Sequence, residues 1–143
     1  MKTLLLSTYE LGHQPFNLAS PAAYLLHAGH EVRCLDLAVQ KLAAQPVCEA
    51  EFIAISTPMH TARRLGVALA RRVRQINPEA HICFYGLYAG LHSTYLLKQV
   101  ADSVIGGEYE ETMVALVNAF AQRGGKFARD NDTPLAPLKG GIK

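Results

Sequence analysis

Five short apolar runs, at residues 4–7, 32–37, 52–56, 82–85 and 103–105, alternate along this chain with stretches whose apolar residues recur at helical spacing, at 18–28, 61–76, 91–100 and 110–122. A short apolar run bounded by turn signals has the length of a buried strand, and the 3.6-residue period marks an amphipathic helix. Strand followed by helix, repeated, builds βαβ units, and right-handed crossovers then give a parallel sheet covered on both faces. Strands buried on both faces read as unbroken apolar runs, as Leu4-Leu5-Leu6, Phe52-Ile53-Ala54-Ile55 and Ile82-Cys83-Phe84 do. Gly29 follows the first helical stretch and Pro78, after Asn77, follows the second, both ordinary stop signals. Residues 38–51 fit either a weak helix or an irregular crossover. At 143 residues one domain is expected.

Five such strands suit a flavodoxin-like, doubly wound, three-layer αβα fold with strand order 2-1-3-4-5. Its ligand crevice lies beyond the carboxyl ends of the strands, at the topological switch point. That rim would carry "STYELGHQPFN", "STPMH", "GLYAG" and "GGEYE". Gly86 and Gly106-Gly107 then fall where the backbone turns sharply or comes close to a ligand. Residues 1–123 make the domain. Residues 124–143, dense in Gly and Pro and without apolar periodicity, read as a linker, extended or poorly ordered, toward a further domain.

Composition excludes several function classes. The net charge of +2 and 18% charged residues favour neither a nucleic-acid surface nor a membrane patch. Arg63, Arg64, Arg71, Arg72 and Arg74 share their stretch with Leu65, Leu69, Val73 and Ile76 at helical spacing, so they read as a solvated helix face. The start, "MKTLLL", is too short for a secretory signal or a membrane span, so a cytoplasmic location is expected. Cys34, Cys48 and Cys83 are dispersed, unlike zinc sites or disulfide frameworks. Cys34 and Cys83, inside apolar runs, read as small core residues. No G-x-G-x-x-G or Walker sequence follows the first strand. Ser7-Thr8 and Ser56-Thr57 stand where a phospho-accepting receiver needs Asp, and neither serine sits in a G-x-S-x-G turn. No cysteine has the nearby base that a thiol nucleophile requires.

Among the six histidines, His30 and His81 precede strands and read as surface residues of the amino-terminal edge, and His27 as a favourable charge near a helix end. His13 and His60 reach the ligand rim, where an exposed or capping role is expected, with Thr61 a candidate N-cap. His92 opens or flanks the helical stretch 91–100. Tyr9, Tyr85, Tyr88 and Tyr109 lie near the rim too. They serve either to stack on a flat ligand or to pack the rim against helix starts and a neighbouring domain.

Three pieces of the chain, "SPAAYLLHAGHEVRCLDL", "FIAISTPMHTARRLGVALARRVRQINPEAHICFYGLYA" and "DSVIGGEYEETMVALV", carry a resemblance. Their order and spacing resemble the N-terminal cobalamin-binding-like domain of radical SAM enzymes. The resemblance implies a five-stranded domain that precedes a partial barrel holding a [4Fe-4S] cluster and S-adenosylmethionine, whose C-x-x-x-C-x-x-C is not in this chain. It implies cobalamin as the ligand of the rim, in contact with Ser7, Thr8, Ser56, Thr57, Pro58, His60, Tyr85, Gly86, Tyr88, Gly106, Gly107 and Glu108. It implies the radical SAM domain of the same natural chain as the partner. The sequence departs from the cobalamin pattern in two places. "ELGHQP" does not supply D-x-H-x-x-G after strand 1, and Gly86-Leu87 replaces paired glycines after strand 4, so that a side chain stands where the nucleotide tail would approach.

Three readings follow. The domain, not catalytic alone, positions cobalamin or substrate beside the radical SAM core. Alternatively it is a degenerate module that binds no cofactor and serves domain–domain contact. The third is a free-standing flavodoxin-like binder of small molecules. A bound corrin is expected to lie flat on the rim with no protein imidazole on cobalt, since neither His13, followed by Pro15, nor His60 is well placed for that. The chain alone is expected to bind no iron–sulfur cluster.

Overall fold

A computed structural model of the chain describes residues 1–9 and 16–123. His13, Pro15 and the expected linker 124–143 lie outside the described residues. The elements follow the alternating order: β1 (Lys2–Ser7), α1 (Phe16–His27), β2 (Glu31–Asp36), α2 (Ala44–Glu49), β3 (Phe52–Ser56), α3 (His60–Ile76), β4 (His81–Tyr85), α4 (Leu87–Leu91), α5 (Ser93–Gln99), β5 (Ser103–Ile105) and α6 (Glu110–Gln122). The sheet is five-stranded and parallel, in the order β2-β1-β3-β4-β5. This is the doubly wound, flavodoxin-like architecture expected from the runs.

Side chains alternate across the sheet with period two, and each face has its own helices. Leu4, Leu6, Ile53, Ile55, Ile82, Phe84 and Val104 pack with Val47 of α2, Val67 and Val73 of α3, Ala89 of α4 and Leu96 of α5. Leu5, Phe52, Ala54, Cys83, Tyr85 and Ile105 pack with Leu18 and Leu25 of α1 and with Met113, Leu116 and Val117 of α6. Every residue of β3 and β4 is buried. The edge strand β2 is not: Glu31, Arg33 and Cys34 are exposed.

Four expectations change. Cys34 is exposed on the edge strand β2, whose residues are exposed or half-buried, while Cys83 is buried as expected. His81 is buried, not on the surface. It stacks on Phe52 with ring centroids 5.4 Å apart, and its Nε2 lies 2.8 Å from the Ser103 hydroxyl. The helical stretch 91–100 is two short helices, beginning at Leu87 and broken at His92, whose φ of −115° and ψ of 25° leave the helical region. Leu65 is 47% exposed although it keeps the spacing of the buried Leu69 and Val73. The undecided stretch 38–51 holds a single short helix, α2.

The amino-terminal edge is fastened by polar clamps. Asp102 Oδ2 accepts from the Ile82 amide at 2.9 Å and from Arg74 Nη2 at 2.6 Å, and Arg74 Nη1 also donates to the Ala80 carbonyl at 2.7 Å. Arg74 is thus paired, and it is the one member of the arginine group with a structural role on this edge. Asn77 ends α3 and its side-chain amide donates to the carbonyls of Val47 at 2.8 Å and Ala50 at 2.9 Å, tying α2 to α3. Losing both bonds would leave two partly buried carbonyls short of a donor, at about 1–3 kcal/mol. Asn77→Ala should therefore lower unfolding free energy by about that amount in urea titration, with an unchanged m-value. An unchanged midpoint would contradict the clamp.

Candidate functional site

The carboxyl ends of β1, β3, β4 and β5 meet on one rim, and the structure brings Ser7, Thr8, Ser56, Thr57, Pro58, Tyr85, Gly86, Gly106 and Gly107 to it. Most of them form its floor. Ser7, Ser56, Thr57 and Tyr85 are all at most 1% exposed. The upper surface is made by Thr8, Pro58, Leu87, Tyr88, Gly107 and Glu108, which are partly or fully exposed.

Tyr85 departs most from its expected place on the surface. Its side chain points into the α1/α6 layer, its ring centroid is 4.8 Å from that of Tyr109, and its hydroxyl donates to the Asn17 carbonyl at 2.5 Å. The sequence supplies the reason. Pro21 lies inside α1, and a proline has no N–H to donate to the carbonyl four residues earlier. That carbonyl is Asn17's. A buried carbonyl without a donor is costly, and the Tyr85 hydroxyl replaces the missing helical bond. Tyr109 donates to Asn17 Oδ1 at 2.8 Å, and the Ser20 hydroxyl donates to Glu110 Oε1 at 2.9 Å. One end of α1 is therefore joined to β4 and α6.

The glycines serve the protein's own backbone. Gly86 has a φ of 110°, a region that costs a side-chain-bearing residue dearly. A Cβ there would also stand 3.1 Å from the Thr57 carbonyl oxygen. That oxygen accepts from the Tyr88 amide at 3.1 Å and so caps the start of α4. Thr57 in turn donates its amide and its hydroxyl to the Tyr85 carbonyl, both at 2.8 Å. Gly90 and Gly106 touch backbone to backbone: a Cβ on Gly106 would lie 2.8 Å from Gly90 Cα, and one on Gly90 would lie 2.9 Å from Gly106 Cα. Gly107 is exposed with a φ of 69°. The role of Gly90 was missed in the sequence. Its signal was the spacing Gly86-x-x-x-Gly90 before a second glycine pair, which sets one helical turn against the next loop.

His60 is exposed, its Nε2 3.4 Å from Arg63 Nη2, and Met59 rather than Thr61 takes the N-cap position of α3, with no side-chain bond. Arg63 also lies over the Tyr95 ring, 5.4 Å from its centroid. His92 stacks on Tyr88 at 5.9 Å. Among the described residues no group of His, Cys, Asp and Glu could hold a metal ion, and no helix is long and apolar enough to cross a membrane. A cavity of about 280 Å³ opens at the opposite edge, between the starts of β1 and β2 and α2, bordered by Lys2, Glu31, Arg33 and Glu49. Arg33 and Glu49 already pair there at 3.6 Å.

These contacts make two measurable claims. Burial, and then the neighbouring Tyr109, push the Tyr85 phenol well above its usual value of 10.0, while Ser56 partly opposes this. A raised phenol stabilises the fold fully below about pH 10, and the gain is lost as pH rises from there toward the native value. Alkaline titration at 295 nm should therefore leave a tyrosine un-ionised until unfolding releases it. Tyr85→Phe should cost about 1–3 kcal/mol by orphaning the Asn17 carbonyl. In a Pro21→Ala background, where an amide returns to that carbonyl, the same change should cost at least about 1 kcal/mol less. Additive effects in this cycle would refute the latch. In addition, Gly106→Ala should destabilise by about 1–3 kcal/mol in urea, since it must force two backbones apart.

The family comparison agrees with this geometry. No curated protein matches the chain. A family model, the B12 binding domain, matches residues 2–117, which run from the first residue of β1 into α6 and contain the whole rim. The chain belongs to the B12-binding domain family.

Proposed function

We propose that this domain seats a cobalamin flat on the carboxyl-terminal rim, as the accessory domain of a radical SAM enzyme that holds the corrin or a substrate beside the radical chemistry. The observation that carries the reading is the family match over a rim whose turns at Gly86 and Gly106 are held by internal contacts. A platform that needs no rearrangement loses little freedom when a ligand lands on it. Leu87 and Tyr88 offer apolar and aromatic area for a ring. Gly107 allows close backbone approach, and Thr8, Pro58, Gly106 and Glu108 border the same strip. Ser7, Ser56, Thr57, Tyr85 and Gly86 support this surface from below. Cobalamin, when bound, supplies a cobalt centre able to carry and transfer an alkyl group; this chain's residues orient the ring and cover one face of it. His60 turns toward Arg63, and His92 stacks on Tyr88, so neither is held for cobalt. The [4Fe-4S] cluster and S-adenosylmethionine belong in this reading to a following radical SAM domain.

The vestigial reading draws on a specific observation as well: the close contacts of Gly86 and Gly106 with Thr57 and Gly90 account for those glycines without any ligand. Equilibrium dialysis with aquocobalamin separates the two readings. The cofactor reading expects saturable binding, at least about tenfold weaker in Leu87→Asp, which places a charge under the ring, and in Gly107→Val, which puts a β-branched residue at positive φ. Cys48→Ala, at the far edge, should bind as the wild type does. Saturable binding untouched by both rim changes, or no binding at all, would sink the cofactor reading, and the latter would favour the vestigial module.

A further inference from the structure

Cobalamin is a flat corrin ring with a bulky arm, a phosphoribosyl-benzimidazole hung from one side. A domain that uses the arm must offer it a slot between sheet and helices; otherwise the arm stays outside. The rim end of the α1/α6 layer is closed by protein. Tyr85 fills it, with none of its surface exposed, and is fixed at both ends by its strand and by the Asn17 carbonyl that Pro21 leaves without a donor. Tyr109 stands against the Tyr85 ring and is tied to the same residue through Asn17 Oδ1. On the other face of the sheet the Gly90–Gly106 backbone contact leaves less room than a methyl group requires. Opening either side means breaking these hydrogen bonds or separating two backbones before any contact with the arm is made.

We infer that the rim recognises the corrin ring alone and leaves the nucleotide arm outside, so its ligand class is corrinoids in general, including those with no lower base. This rests on the proposed corrinoid reading and names the part of the ligand that is read. The opposite arrangement would need Tyr85, Tyr109 and Asn17 to separate.

Binding of three probes to the full chain tests it: aquocobalamin, cobinamide, which keeps the corrin but lacks the nucleotide, and free benzimidazole riboside, which is the arm without the corrin. The expected result is that cobalamin and cobinamide bind with dissociation constants within about threefold of one another, and that the riboside neither binds nor competes. A preference for cobalamin over cobinamide of more than about tenfold, or competition by the riboside, would show the arm inside and overturn the inference. Binding of neither corrinoid would overturn the corrinoid reading itself, and the inference with it, a result distinct from a preference between the two.

Discussion

A single hydroxyl settles how the upper half of this fold is closed. Pro21 takes a hydrogen-bond donor out of α1, the Asn17 carbonyl is left without its helical partner, and Tyr85 at the end of β4 supplies the missing proton. Without that bond α1 would carry a partly buried carbonyl short of its donor. With it, the first helix is bound to a central strand, and through Asn17 and Ser20 to the last helix. Three segments far apart in the chain then share one corner of the rim. The other rim corner has the same logic in backbone form. The Thr57 carbonyl caps α4, and only a glycine at position 86 lets the chain pass it.

This arrangement separates support from surface. A rim at a topological switch point offers a crevice because neighbouring strands send their helices to opposite faces. Here the crevice floor is filled by Ser56, Thr57 and Tyr85, and Leu87, Tyr88 and Gly107 lie on the outward surface. Such a surface suits a broad flat ring better than a compact ligand that needs to be enclosed. The exposure of Leu87 at 61% and Leu91 at 67% gives the rim and the helix beside it unusual apolar area, of the sort that a bound ring or a neighbouring domain covers.

Much of the fold was legible because unbroken apolar runs such as Phe52–Ser56 and Ser103–Ile105 have the length and pattern of buried strands, and both are found with those bounds, the first central and the second at an edge. Edges were harder. The expected order already put β2 at an edge, but did not say how little of it the helices cover: its residues are exposed or half-buried, Cys34 among them, while the other edge strand, β5, is wholly buried. Helix α4 was missed, its residues having been read as a rim turn before a helix at 91–100, because the turn at Gly86 begins a helix without a connecting loop. At the rim, the sequence placed the right residues together but not their directions. Tyr85 and Tyr88 are three apart, and one is core while the other is surface. What decides this is the strand parity of Tyr85 and the donor that Pro21 withholds, a coupling across 68 positions between Tyr85 and Asn17 that no local pattern reveals.

The central claim is that the carboxyl-terminal rim is a preformed corrin seat. Amide hydrogen exchange of the chain with and without aquocobalamin tests it most directly, because exchange locates binding without altering a residue. Corrinoid on the rim should slow exchange in the rim segments 7–9, 57–60, 86–91 and 106–109, while the starts of β1 and β2 and helix α2 at the opposite edge stay unchanged. Protection centred on the cavity beside Lys2, Glu31 and Arg33, or no change anywhere at saturating corrinoid, would contradict it.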